Sequence, residues 1–90
     1  MGDEGLTRDA LTGAVAGWLF EDRLDLAVRR LRRSGRLGGL LLIDVDGLGV
    51  VNDALGPAAG DRLLRAIAER IGSRLRDGDT LARTGDDEFA

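Results

Sequence analysis

Leu40-Leu41-Leu42-Ile43-Asp44-Val45-Asp46 is the stretch on which the fold turns. Glycines bound it, Gly38-Gly39 before and Gly47 after, and the apolar run between them is short for a helix. Such a run reads as a strand buried on both faces, and therefore as the central strand of a sheet. Asp44 and Asp46 stand at its carboxyl end, two residues apart, so they share a face if the strand continues. The carboxyl ends of strands in α/β sheets are where ligands bind. This stretch predicts an α/β fold with its chemistry at those acids.

On the amino side, Phe20, Leu24, Ala27, Val28 and Leu31 recur at steps of three and four, which predicts a helix. Arg29, Arg30, Arg32 and Arg33 crowd its end, where cations suit the helix dipole, and Ser34-Gly35 stops it. Asp9-Ala-Leu-Thr-Gly13 has the turn chemistry to start an element, and residues 1–8 read as a polar lead-in to a domain over 9–90. On the carboxyl side, glycines and Pro57 break up the chain from Gly47 to Gly60, leaving room for a short helix around Val50 to Leu55. Asp61 then opens a helix with an apolar stripe of Leu63, Leu64, Ile67, Ala68, Ile71 and Leu75, stopped by Gly78. Thr80 to Arg83 predicts a second strand, Thr84 to Asp87 a turn, and Glu88 to Ala90 the start of a third strand.

The inventory excludes much chemistry. The 90 residues contain no Cys, His, Tyr, Lys or Gln, and all thirteen basic residues are Arg. Disulfides, thiolate nucleophiles, cysteine zinc sites and Ser-His-Asp catalysis are therefore ruled out, as are a Walker loop and a Schiff-base lysine. A net charge of −3 offers no general attraction to a nucleic acid polymer or an acidic membrane. No apolar run is long enough to span a bilayer, and the acidic start Met1-Gly-Asp-Glu-Gly5 is unlike a signal peptide, so a cytoplasmic location is expected. Carboxylates, guanidinium groups and backbone remain, a set suited to hard cations such as Mg²⁺ and the phosphates they carry.

Two acidic groups fit that chemistry. Asp44 and Asp46 end the strand, while Asp86-Asp87-Glu88 occupies the predicted hairpin, and if the two pack together they can hold cations across a triphosphate. The competing explanation is local: Asp favours strand ends and turns for its own hydrogen bonding. A calcium loop starting at Asp44 fits poorly, since its fifth and twelfth positions are Leu48 and Leu55.

Asp9-Ala-Leu-Thr-Gly13, Leu40 to Asp46, Val51-Asn-Asp53, Gly60-Asp-Arg-Leu-Leu64, Arg76-Asp-Gly-Asp79 and Ala82-Arg-Thr-Gly-Asp-Asp-Glu-Phe-Ala90 follow one another in a telling order. In order and spacing they resemble the first half of a GGDEF domain, the family of diguanylate cyclases that join two GTP molecules into cyclic di-GMP. The resemblance implies an α/β (α+β) fold, a partial ferredoxin-like palm cut short at the signature hairpin. Its sheet would be mostly antiparallel, with the third strand between the first and second. It implies that Asp44, the Val45 carbonyl and Asp87 hold Mg²⁺ or Mn²⁺, and that Asp87, with Glu88 beside it, serves the attacking 3′-hydroxyl. Asn52 and Asp61 match the pair that hydrogen-bonds guanine, and Arg76 and Asp79 match the inhibitory site for cyclic di-GMP. Capping of nearby helices is the structural alternative for Asn52 and Asp61, and placement at a helix C-terminus is the alternative for Arg76.

Departures from the family pattern are equally specific. Leu48-Gly49 stands where the family carries Phe-Lys, so the phosphate-binding lysine is missing. Asp86 replaces the second glycine of the signature, Pro57 stands where His is usual, and Ala16-Gly17 replace Asn-Arg. The resemblance therefore predicts a cyclase-like domain impaired in catalysis. The alternatives are a non-enzymatic module binding GTP or cyclic di-GMP, or an inactive remnant, with a homodimer among the expected assemblies.

Overall fold

In the computed structural model, residues 7–90 are described, so most of the 1–8 lead-in lies outside them. The elements in chain order are β1 (Val15–Ala16), α1 (Gly17–Ser34), β2 (Ile43–Asp44), α2 (Leu48–Leu55), α3 (Pro57–Gly72), β3 (Ala82–Gly85) and β4 (Glu88–Phe89). The four strands form one sheet in the order β1-β3-β4-β2. β1 runs parallel to β3, whereas β3–β4 and β4–β2 are antiparallel, so the sheet is mostly antiparallel as expected. The last strand lies between the two that precede it in the motif order, also as expected.

The 40–46 stretch departs from its reading. Only Ile43–Asp44 is strand, it sits at the sheet edge, and Leu40, Leu41 and Leu42 are exposed. A strand is extended only as far as its neighbour offers hydrogen bonds. The neighbour here is β4, whose two residues pair Phe89 with Ile43 and Glu88 with Asp44.

Helix α1 ends where predicted: Gly35 caps it in the left-handed conformation at φ 71°, its N–H bonding the Leu31 carbonyl. Helix α3 starts four residues earlier than predicted, because Pro57 takes the first helical position, where its missing N–H is no loss. It also ends earlier, at Gly72. Arg74 and Leu75 donate back only three residues, to Ile71 and Gly72, so the chain tightens out of the helix before Gly78. Strand β1 was not foreseen; two residues between Gly13 and Gly17 give no alternation to read.

The core lies between α3 and the sheet. Leu64 and Ala68 from α3 meet Ala14 and the fully buried Phe89, with Leu11, Ile43, Val45, Leu48, Ile67 and Leu81 packed around them. Helix α1 has no buried residue.

Candidate functional site

The antiparallel pairing of β2 with β4 assembles the site. Asp44 stands opposite Glu88, and the Val45 N–H donates to the Asp87 carbonyl at 2.8 Å. Two acidic groups more than forty residues apart in sequence are thus fixed side by side, as the sequence required for joint chemistry. Asp44, Asp46, Asp86, Asp87 and Glu88 are all exposed. Among the described residues no three acids close into a metal cage.

The signature turn is held from below by an arginine. Arg83 Nη2 donates to the Asp86 carbonyl at 2.8 Å and Nε to the Gly85 carbonyl at 3.3 Å. Its Nη1 reaches Asp9 at 3.1 Å, in an ion pair whose side chains are only 16% and 22% exposed. Asp9 in turn accepts from the Thr12 hydroxyl at 2.7 Å and the Thr12 N–H at 2.8 Å. Burial pushes the Asp9 carboxyl up, but the Thr12 hydrogen bonds and the Arg83 guanidinium outweigh it and hold the group below its ordinary value. Sequence reasoning saw Asp9 only as a turn residue and Arg83 only as strand. The available signal was an arginine set between Leu81-Ala82 and Gly85, which needs a partner once the strand is covered.

Asn52 and Asp61 lie on successive helices. Asn52 is on α2 and its side chain rests on Gly60, where an added Cβ would collide with Oδ1. That Oδ1 is buried and has no hydrogen-bond partner. Asp61, exposed, is inside α3, whose N-cap is Gly56 with no side-chain cap. Neither residue caps a helix, so the capping alternative fails for both.

Arg76 and Asp79 close a turn on each other. The Asp79 N–H donates to the Arg76 carbonyl at 2.9 Å, and Asp79 Oδ2 accepts from the Arg76 N–H at 3.1 Å. Because α3 ends at Gly72, Arg76 is not in its last turn, and the C-terminal explanation for it fails too. Leu48 packs against the core, whereas Gly49 faces open space with no side chain to offer.

The donor set is all oxygen, the type that Mg²⁺ prefers. One or two exposed carboxylates beside a backbone edge suit an ion that brings its remaining ligands as water and phosphate. They do not suit a cation held by protein alone.

Comparison with known proteins agrees with this arrangement. The family profile described as "Diguanylate cyclase, GGDEF domain" matches residues 6–90. The chain is 44% identical over 81 residues to the bifunctional diguanylate cyclase/cyclic di-GMP phosphodiesterase MucR of Pseudomonas aeruginosa, covering 90% of this chain and 12% of MucR. The solved GGDEF domain of TpbB from the same species superposes with a TM-score of 0.88 at 43% identity, over 91% of this chain and 48% of that one. The GGDEF domain of DgcB from Caulobacter crescentus, solved in complex with cyclic di-GMP, superposes at 0.81 with 30% identity, over 92% and 47%. The chain spans about half the length of these solved domains and a much smaller share of the full-length relative. With the family profile matching residues 6–90 and a solved GGDEF domain superposing over 91% of its length, the chain belongs to the GGDEF family of diguanylate cyclase domains.

Proposed function

We propose that the chain binds guanine nucleotides, GTP or cyclic di-GMP, as part of a GGDEF-type domain of cyclic di-GMP signalling, and that cyclisation of GTP is impaired in this sequence. The observation that carries the reading is the β2–β4 register, which sets Asp44 opposite Glu88 and Val45 against Asp87. The roles follow from chemistry. A carboxylate at Asp61 accepts from the guanine N1 and N2 donors, while the Asn52 amide both donates and accepts. The unpartnered Asn52 Oδ1 supports this, since leaving a buried acceptor unsatisfied costs about 1–3 kcal/mol. Asp44, the Val45 carbonyl and Asp87 are the groups that would hold Mg²⁺ or Mn²⁺, which neutralises charge on the triphosphate when bound. In the reaction, the 3′-hydroxyl oxygen bonds to the α-phosphorus of the second nucleotide and pyrophosphate leaves. Asp87, beside Glu88, takes the hydroxyl proton. These nucleotides are cytoplasmic, and a cytoplasmic location is part of the proposal.

Impairment rests on two positions. A charged donor to phosphate contributes about 1.5–3 kcal/mol, and Gly49 supplies none of it. Asp86 adds a negative charge where the phosphates approach; at about 5 Å and an effective dielectric of about 20, one like-charge pair costs roughly 3 kcal/mol. The combined loss is on the order of 10³ in rate or more. A binding module without turnover is the second reading, favoured by the preformed Arg76–Asp79 turn beside the missing phosphate contact.

Calorimetric titration with GTP, ATP and cyclic di-GMP in Mg²⁺ tests both readings. GTP binds more tightly than ATP, because adenine has an acceptor at N1 and no 2-amino donor, and Asp61→Ala erases the difference. Equal affinities for GTP and ATP in the folded chain reject the guanine assignment.

A further inference from the structure

The net charge of −3 conceals an uneven distribution. Residues 26–43 hold five arginines, Arg29, Arg30, Arg32, Arg33 and Arg36, and no acid, a charge of +5. The rest of the chain, with eight arginines and sixteen acids, carries −8. Such a split within one small domain marks a surface that attracts anions although the molecule as a whole repels them.

The fold gathers this charge on the outer side of α1. At about 100° per residue, Arg29 and Arg33 lie opposite the half-buried Phe20, Leu24 and Leu31, and Arg30 and Arg32 flank them. All five arginines are exposed, and among the described residues the ion pair is Asp9 with Arg83, so none of the five is neutralised within the chain. Beyond the Gly35 cap the chain folds back on the helix, and Gly38 comes so near Leu31 that an added Cβ would collide with it. Leu37, at that bend and next to Arg36, is 97% exposed. Guanidinium groups around one fully exposed leucine match a surface that is anionic outside and apolar beneath.

We propose that this end of the molecule docks on an anionic lipid bilayer, the arginines of 29–36 lying over the headgroup phosphates and Leu37 entering the boundary beneath them. Arginine suits such a contact, because its apolar stem can lie along the acyl boundary while the guanidinium stays with phosphate. A cluster of about four to eight basic residues on an amphipathic helix is the sequence form that anionic lipid recognition takes. A nucleic acid fits less well. Residues 26–43 contain no aromatic side chain on which a base could stack, and Asp25 and Asp44 bound the basic track on both sides. The contact goes beyond nucleotide binding and does not depend on it, since none of these residues belongs to the proposed nucleotide site.

Flotation of the 90-residue chain with phosphatidylcholine vesicles, with and without about 30% phosphatidylserine, is the experiment. The chain is expected to float with the anionic vesicles alone, against its own net negative charge, and to be released as salt rises. Arg29→Gln/Arg33→Gln lowers the partition coefficient about 25-fold, at about fivefold per arginine. Arg62→Gln/Arg70→Gln, which removes the same charge from exposed positions of α3, leaves it unchanged. Leu37→Ser weakens binding several-fold without altering its salt dependence. Circular dichroism verifies that each variant keeps its helices, and Leu37→Ser, in an exposed loop, carries the test if a helix variant loses them. Absence of flotation, equal flotation with neutral vesicles, or equal loss in the two arginine pairs overturns the proposal. So does tighter binding to a duplex DNA oligonucleotide through Arg29 and Arg33, which assigns the patch to a nucleic acid.

Discussion

At the scale of single residues, the Asp9–Arg83 pair is the device most open to test. Its ion pair and the two Thr12 hydrogen bonds tie the Asp9-to-Gly13 turn to the signature hairpin through one guanidinium. Because the folded Asp9 carboxyl titrates below its unfolded value of about 3.9, its contribution is complete above that pH and is lost as pH falls through the folded value. Asp9→Asn is therefore expected to cost about 1–3 kcal/mol at pH 7 and to flatten the fall in stability below about pH 4, read from urea midpoints between pH 3 and 7. A mutant whose acid limb parallels that of the parent contradicts the assignment. Asn52 gives the opposite signature. Removing an unpartnered buried acceptor releases its desolvation penalty, so Asn52→Ala should hold or raise the urea midpoint while lowering GTP affinity at least tenfold. Gly49 and Asp86 account for the proposed catalytic loss. In a chimaera carrying a relative's second half after Ala90, the unmodified sequence is expected to make little cyclic di-GMP, Gly49→Lys with Asp86→Gly to raise its production, and Asp87→Ala to abolish it again. Robust synthesis by the unmodified chimaera would show that these two positions are tolerated.

At the scale of elements, strand β4 holds more together than its two residues suggest. It pairs with β2 on one side and β3 on the other, and Phe89 is fully buried between the sheet and α3. Phe89→Ala is expected to cost about 3–5 kcal/mol and to abolish cooperative unfolding, monitored by thermal circular dichroism. The end of α1 was legible because its signal is local: a left-handed glycine at 35 acts through its own backbone. Asp61 misled as a helix start because proline at a first helical position competes with it four residues earlier. The end of α3 was misplaced because Leu75 continues the apolar period although the backbone has already tightened at Gly72.

At the scale of the whole molecule, the buried core is thin. Of the eight buried apolar residues described, five are alanine, so only Val15, Leu64 and Phe89 bury large side chains. Leu37, Leu41, Leu42, Val50 and Leu55 are each more than 70% exposed. A chain with so little buried area has a small margin over the entropy of ordering its backbone. The 90-residue chain is therefore expected to unfold at low urea. A urea midpoint as high as that of an ordinary well-packed domain would contradict that expectation.

The sequence by itself determined what depends on short range or on inventory. The C-terminal end of α1, the turn at Asp86-Asp87, the exclusion of thiol, imidazole and lysine chemistry, and the ordered motifs that mark the family were all readable from residue type and spacing. Tertiary structure decided what depends on neighbours. Leu40 to Leu42 look like a buried strand in any one-dimensional reading, but a strand is buried only where another element covers it, and β4 covers two residues of this one. The same holds for the site. Residue type suggests that Asp44 and Asp87 act together, but only the β2–β4 register brings them to one edge. Only the fold shows that the Oδ1 of the half-buried Asn52 has no hydrogen-bond partner and that Arg83 reaches back across the chain to Asp9. Local propensity acts over a few residues, whereas these pairings are set by chain closure over many tens, which no single window of sequence contains.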